Sequence, residues 1–250
     1  MKNVKLTIEY DGTMYHGWQV QKNAITVQQK VTEAIYHLTK EHVNLIGSSR
    51  TDEGVHAYGQ VANFITNSTI PQERFAHALN TFLPPDIVVV KSEGVPLKFH
   101  ARYDTKGKKY RYIIYNRRIK SALWKDRAYH VRNEINVDIM KEAAKFLVGT
   151  YDFSSFRASG SSTKTSIRTI HEISVEKSGD LITIDVSGNG FLYNMVRIIA
   201  GTLVEMGIRN VHPSKMADII NAKDRKKAGK TAPPQGLYLM EVYYLERKII

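Results

Sequence analysis

The sequence predicts an α+β fold made of two halves with a similar content of strands and helices. In the first half the elements follow the order β-α-β-β-α-β, which is typical of a ferredoxin-like domain with an antiparallel sheet and helices on one face. The second half again combines alternating strands with amphipathic helices, which suggests a pseudo-repeat with a basic cleft where the halves meet. Periodicity lapses between about residues 96 and 107. The predicted domains are therefore 1–105 and 106–250.

Hydrophobic periodicity defines the elements of the first half. Apolar and polar residues alternate from Val4 to Tyr10, as in a half-buried strand. Thr26 opens a capping box, and the apolar residues that follow it, Val27, Val31, Ile35 and Leu38, share one helical face. Further strands are predicted near residues 43–46, 55–64 and 87–90, with a helix near 72–81.

The second half is predicted in the same way. A strand at 106–115 places Tyr110, Tyr112 and Ile114 on one face. We expect Asp138 to cap a helix that ends at Gly149. The remaining elements are a hairpin around 178–180, a helix opened by 188–190, a short helix from Pro213 and a last strand at 237–244.

The charge of the chain indicates an anionic partner. Of 250 residues, 36 are Lys or Arg and 24 are Asp or Glu, which gives a net charge of +12. Such a field attracts polyanions, so nucleic acid or an acidic membrane surface is the expected partner class. A basic protein that is merely soluble is the alternative that charge alone leaves open.

The absence of cysteine removes several classes of protein. With no cysteine there is no disulfide framework, no Cys-ligated zinc and no thiolate nucleophile. Deaminases built on Cys-ligated zinc, and RNA methyltransferases that use a cysteine, are thereby excluded. We find no apolar segment typical of a signal peptide or a membrane span, and we expect a cytoplasmic protein.

The polar stretch from Gly47 to Phe64 is the strongest candidate for a functional site. It falls on a loop between regular elements, where chemistry is often located. Within it, Arg50 can pair with Asp52, keep the carboxylate ionised and present a guanidinium to phosphate. A surface turn with a weak ion pair is the alternative.

The same stretch resembles the signature of the TruA family of tRNA pseudouridine synthases. The motif reads Arg50-Thr51-Asp52-x-Gly54-Val55-His56-Ala57, followed by Gly59-Gln60-Val61. The family motif usually reads Gly-Arg-Thr-Asp-Ala-Gly-Val-His, so Ser49 and Glu53 stand where glycine and alanine are usual. Similar segments extend from Tyr10-Asp11-Gly12 to Gly236-Leu237-Tyr238, which covers nearly the whole chain.

The resemblance implies both a fold and an activity. The fold would be the pseudouridine synthase fold, in which two α/β domains share one extended, mainly antiparallel central sheet, in a homodimer. The activity would be the conversion of uridine to pseudouridine at positions 38, 39 and 40 of the tRNA anticodon stem-loop. No atoms enter or leave in this reaction, so neither a cofactor nor a metal is expected.

The resemblance also implies roles for four residues. Asp52 would be the catalytic nucleophile, and its ordinary pKa of about 3.9 leaves it ionised at neutral pH. Arg50 would pair with Asp52 and help to hold the helix position vacated by the flipped nucleotide; a phosphate anchor is the equal alternative. Tyr110 would stack on the base, with Tyr112 on the same face as its competitor. Arg197 would be the second basic residue of the active site and contact Asp52; a solvated helix residue is its alternative.

A basic run with interleaved aromatic residues is suited to a phosphate backbone. We assign substrate binding to Lys108, Lys109 and Arg111 within this run, as a group. A solvated charged face is the alternative. At the level of the whole chain, the alternative to the enzyme is a catalytically inactive RNA-binding protein of the same fold. A general polyanion binder would need a long basic amphipathic helix, and we find none.

Three further patterns are weak. Ala228-Gly229-Lys230-Thr231 resembles the end of a phosphate-binding loop, but Asp224 occupies the earlier glycine position, so we expect a flexible loop. Gly188-x-Gly190 lacks the third glycine of a dinucleotide fingerprint. Asp52 and His56 have the spacing of a metal pair on a helix, but the segment is predicted to be loop and strand.

Overall fold

The chain forms two compact units. The computed structural model describes residues 1–160, 163 and 165–244. Met1–Lys106 forms the first unit together with the stretch that begins at Tyr238, and Gly107–Leu237 forms the second. The first unit thus contains the last strand, which the sequence-based division had assigned to 106–250.

The bounds of the strands and helices follow the chain. Up to residue 106 they are β1 (Lys2–Tyr10), α1 (Val27–Thr39), β2 (Ile46–Gly47), β3 (His56–Thr66), α2 (Phe75–Leu79) and β4 (Ile87–Val95). After it they are β5 (Gly107–Asn116), β6 (Tyr129–Val131), α3 (Val137–Lys145), β7 (Gly149–Asp152), β8 (Ile167–Ser178), β9 (Leu181–Gly188), α4 (Met195–Arg209), α5 (Lys215–Ala222) and β10 (Leu237–Tyr243).

In the first unit, β1 lies between β4 and β3 and pairs antiparallel with both. β10 pairs with β3 in the parallel sense, which places Tyr238 opposite His56. The predicted cap of α1 is formed, since the Gln29 N–H donates to the Thr26 hydroxyl at 3.4 Å. Phe64 of β3 meets Phe75 of α2 edge to face at 5.5 Å between ring centroids, which joins helix to sheet.

The second unit is built on antiparallel strands β5, β9, β8 and β7 in that order, with β6 parallel to the outer side of β5. The predicted alternation in β5 is confirmed, because Tyr110, Tyr112 and Ile114 are all buried. The predicted hairpin is also confirmed, with Gly179 in the left-handed region at φ +57°. Helix α4 is buried along most of its length and provides much of the core.

Two helix starts differ from the prediction. Asn136, and not Asp138, caps α3, because its side chain accepts the N–H of Ile139 at 3.3 Å. Asp138 lies in the first turn, and the helix ends at Lys145 rather than Gly149. Gly188 ends β9 instead of opening a helix; α4 begins at Met195, after Asn194 in the left-handed region.

The fold is therefore mixed α+β with mostly antiparallel strands, as the sequence predicts. Within the described residues, no helix is both long enough and apolar enough to cross a membrane.

Candidate active site

The loop that carries Asp52 is held from below by the end of β1 and the turn after it. The Tyr10 and Thr51 hydroxyls are hydrogen-bonded at 2.7 Å, and both residues are buried. The backbone N–H of Trp18 donates to the Thr51 carbonyl at 3.1 Å, and the backbone N–H of Gly54 donates to the Tyr15 carbonyl at 3.3 Å. These bonds fix the backbone on both sides of Asp52.

Two glycines let the segments come this close. A side chain at Gly12 would overlap the Val55 carbonyl, and one at Gly17 would overlap the Thr51 carbonyl. Gly17 also has φ +83°, a conformation that L side chains rarely adopt. The loop geometry thus depends on residues about 40 positions earlier in the chain.

Asp52 lies half-buried at the tip of this loop, and its backbone carbonyl accepts the Val55 N–H at 3.2 Å. Arg50 is exposed. The pairing of Arg50 with Asp52 stays a prediction. With its neighbour Thr51 buried beneath the loop, the Arg50 side chain extends into solvent, where it can meet a phosphate.

The two departures from the family motif are compatible with the backbone conformation of the loop. Ser49 does not have a positive φ, so it does not need the freedom of glycine. It is buried, and its carbonyl accepts a hydrogen bond from the Gln60 amide at 2.9 Å. Glu53 points outward with a side chain that is 72% exposed, 3.9 Å from His16 Nε2.

His56 belongs to the support of the loop. It is buried, its Nδ1 accepts the Gly12 N–H at 3.0 Å, and its ring stacks on Tyr238 at 4.7 Å between centroids. The Asp52–His56 spacing therefore reflects a packing role for the histidine. Among the residues that the structure describes, no group of three or more His, Cys, Asp or Glu could hold a metal ion.

In the second unit, Tyr110 and Tyr112 have different surroundings. Tyr112 is fully buried and donates its hydroxyl to the Pro233 carbonyl at 2.7 Å. Burial raises the pKa of Tyr112 well above its ordinary value, and the nearby Arg197 charge opposes the rise. Tyr110 keeps 9% exposure and meets Phe191 edge to face at 5.2 Å. Tyr112 is therefore a core residue, and Tyr110 is the better placed of the two to meet a base.

Arg197 is held in the first turn of α4. Its Nε donates to the Ala232 carbonyl and its Nη1 to the Asn194 side chain, both at 2.8 Å. The Ala232 N–H in turn donates to the Arg197 carbonyl at 3.1 Å. A guanidinium fixed by two acceptors is preorganised rather than a freely solvated helix residue.

The three basic residues assigned to substrate binding divide between the two faces of β5. Arg111 forms a bidentate pair with Asp185 on β9, with both N–O distances at 2.7 Å, and Lys109 Nζ lies 3.4 Å from the same carboxylate. Burial disfavours the charged Asp185, but hydrogen bonds and charges from Arg111 and Lys109 outweigh it and lower its pKa. Strand alternation places Lys108 on the opposite face, with Tyr110.

Sequence reasoning missed the residues that hold the Asp52 loop from below. Tyr10 and Gly12 belong to a segment that the resemblance had noted only as a matching motif, and Gly17 had not been noted. The signal was present as glycines and aromatic residues without helical or strand periodicity directly after β1. Nothing in the sequence alone indicates which loop they contact.

A family model described as tRNA pseudouridine synthase matches residues 6–104 and 143–245. The chain belongs to the tRNA pseudouridine synthase family. Asp52 and Arg197 lie within the matched residues, whereas Tyr110 lies in the interval between them.

Similar tRNA pseudouridine synthases match along their entire length. The tRNA pseudouridine synthase A of Acetivibrio thermocellus is 58% identical over 244 residues, which cover 98% of this chain and 100% of the relative. The proteins of the same name from Ruminiclostridium cellulolyticum and Thermoanaerobacter sp. strain X514 are 55% and 53% identical, each over 98% of this chain and 100% of its own.

Proposed function

We propose that this chain isomerises uridine to pseudouridine in tRNA, at positions 38, 39 and 40 of the anticodon stem-loop. Family membership along nearly the whole chain supports the reaction class. The observation that carries the proposal to particular residues is the buried Tyr10–Thr51 hydrogen bond, which fixes the backbone next to Asp52. A reacting carboxylate needs such a fixed geometry.

The reaction is a rearrangement within one nucleotide. The bond between ribose C1′ and uracil N1 breaks, the base turns, and a bond between C1′ and C5 forms. C5 loses its proton and N1 gains one, so atoms and electrons balance without a cofactor. Asp52 serves as the nucleophile. It attacks C1′, adds to the base, or removes a ribose proton to give a glycal; the three routes share the same residue.

The other residues act on substrate position. Arg50, exposed beside Asp52, contacts a phosphate or fills the place of the extruded nucleotide. Tyr110 stacks on the base, and Arg197 contacts the Asp52 carboxylate. Lys108, Lys109 and Arg111 contribute positive charge toward the RNA backbone. We further propose that the protein acts as a cytoplasmic homodimer.

The first experiment follows tritium release from tRNA that carries 5-³H-uridine, in metal-free buffer with no added cofactor. We compare the wild type with Asp52→Asn, which removes the charge but keeps the shape. We expect release by the wild type and none by the variant. Mapping pseudouridine by chemical modification and primer extension identifies the positions modified.

Glu53→Gln is the matched control, because it removes a carboxylate next in sequence that points into solvent. It should keep the wild-type rate. Turnover by Asp52→Asn would remove Asp52 from the nucleophile role. Binding of tRNA without release by the wild type would favour the catalytically inactive RNA-binding protein instead.

A further inference from the structure

The segment from Lys223 to Thr231, whose last four residues were expected to form a flexible loop, carries an excess of positive charge. Lys226, Lys227 and Lys230 are exposed, and none of them pairs with a described acidic side chain. Three positive charges within five residues produce a strong local field for an anion. We call residues 223–231 the lysine loop.

The acidic groups around the lysine loop are already engaged. Glu205 pairs with Arg209 at 3.0 Å. Asp218 pairs with Lys215 at 3.2 Å. Asp224 accepts the backbone N–H of Lys226 at 2.9 Å and keeps its negative charge within the loop. A groove of about 410 Å³ is lined by Lys226 and Lys227 of the loop together with residues of α4 and α5. The three exposed lysines outnumber Asp224, so the loop keeps a net positive charge that is accessible to an anion outside the protein.

The backbone of the lysine loop is fixed from within. Arg225 donates to the Gly229 carbonyl at 2.9 Å, to the Ala228 carbonyl at 3.3 Å and to the Thr231 hydroxyl at 3.1 Å. A single guanidinium therefore joins three acceptors of its own loop. A loop ordered in advance loses less conformational entropy when it binds.

The loop is also fixed to α4. The Gly229 N–H donates to the Thr202 hydroxyl at 2.9 Å. A side chain at Gly201 would overlap the Lys230 carbonyl, so the loop backbone lies directly on the helix. The expectation of a flexible loop is therefore wrong, and the reason is tertiary packing that local composition does not reveal.

Directly after the loop comes the residue that holds Arg197. Two hydrogen bonds join Ala232 to Arg197. The Ala232 N–H donates to the Arg197 carbonyl at 3.1 Å, and the Arg197 Nε donates to the Ala232 carbonyl at 2.8 Å. The lysines and the proposed active-site arginine thus belong to one hydrogen-bonded assembly. By contrast, Lys109 and Arg111 share the Asp185 carboxylate, which offsets part of their charge.

We propose that the lysine loop binds the phosphate backbone of the RNA substrate and is a main electrostatic anchor of the second unit. The proposal rests on the proposed function for the identity of the RNA. Ammonium groups on a preordered loop suit phosphates, which are spaced along the strand and need no base recognition. The anchored loop also transmits the position of the RNA backbone to the segment that holds Arg197.

The test is the salt dependence of tRNA binding. We compare the wild type with the triple variant Lys226→Gln, Lys227→Gln and Lys230→Gln, measuring Kd for tRNA between 50 and 300 mM KCl. Each phosphate contact contributes about 0.7 to 0.9 to the slope of log Kd against log salt. We expect the slope to fall by about 2, with weaker binding at low salt and a raised KM.

The matched control is Lys22→Gln, Lys98→Gln and Lys177→Gln, which removes the same charge from three exposed lysines that likewise pair with no described acidic side chain. Its slope should stay near that of the wild type. An equal fall in both triple variants would show that net charge alone is responsible and would overturn the proposal. An unchanged slope in the lysine-loop variant would overturn it too.

Arg225→Lys separates the order of the loop from its charge. It keeps the net charge but cannot reach all three acceptors. We expect weaker tRNA binding at every salt concentration with an unchanged slope; wild-type affinity would contradict the role of loop order. If the lysine-loop variant shows no change in salt slope while the wild type makes pseudouridine, the lysine-loop proposal is wrong and the proposed function stands. If the slope changes but the wild type makes no pseudouridine, the lysine loop binds RNA and the proposed function is wrong.

Discussion

The hydroxyl groups of Tyr10 and Thr51 form a buried hydrogen bond directly beside the proposed nucleophile. It ties strand β1 to the loop at the residue before Asp52. Since a small displacement of a reacting group can cost a large factor in rate, we expect this bond to act on catalysis through position. Tyr10 and Thr51 are positioning residues and need not touch the substrate.

Thr51→Val keeps the shape of the side chain and removes the hydroxyl. We expect kcat to fall by about 10-fold to 100-fold with little change in KM, because the loop loses its fixed position. Thr51→Ser should restore most of the activity. Steady-state kinetics on tRNA provide the measurement, with thermal unfolding as a check on the fold.

A double-variant cycle makes this prediction sharper. Tyr10→Phe should lower kcat in the same way, and Tyr10→Phe with Thr51→Val should be little worse than either single variant. Additive losses would mean that the two hydroxyls act separately, which would contradict a shared positioning role.

At the level of elements, local signals predicted the fold well. Thr26 begins α1 because its hydroxyl can accept an orphan N–H of the first turn, which is a short-range interaction. Gly179 marks the hairpin because it adopts a positive φ. Both signals lie inside the element that they define, so a sequence reader can find them.

Contacts between residues far apart in sequence could not be predicted from the sequence. Arg111 finds Asp185, 74 positions away, and Gly12 meets Val55 across two elements. The candidate residues could be named from their motif, whereas their partners depend on tertiary packing.

The start of α3 gives an element-scale prediction. Asn136→Ala removes the acceptor for the Ile139 N–H and should lower the free energy of unfolding by about 1 kcal/mol. Asp138→Ala is the control, because Asp138 is 90% exposed in the first turn. Urea unfolding measures both. A larger loss for Asp138→Ala would return the capping role to that residue.

At the scale of the molecule, several carboxylates stabilise the fold in their ionised form. Glu93, Asp152 and Asp185 have lowered pKa values. For Glu93 and Asp152, hydrogen bonds from Lys5 and from Ser154 are the main causes. For Asp185, burial acts in the opposite direction and is outweighed by Arg111. Because their pKa values are lower in the folded state, their contribution is complete above the unfolded values of about 4 and is lost below them.

The free energy of unfolding should therefore decrease as the pH falls from about 5 toward 3. Asp185→Asn tests one contributor, since it should be less stable than the wild type at pH 7, and the difference should shrink as acid protonates the wild-type carboxyl. Urea unfolding at pH 7, 5, 4 and 3 is the measurement, with Asp138→Asn as an exposed control. A deficit that stays constant down to pH 3 would contradict the pairing with Arg111 as its source.

The glycines beneath the Asp52 loop bear on any attempt to redesign this enzyme. Gly12 and Gly17 leave room for carbonyl groups of the loop, and Tyr10 bonds to it from the same segment. A transplant of residues 47–64 alone into another scaffold would thus carry the reactive side chain without the surface that shapes it. The smallest transferable module is a discontinuous one, residues 10–18 together with 47–64, and libraries that vary one part should vary the other with it.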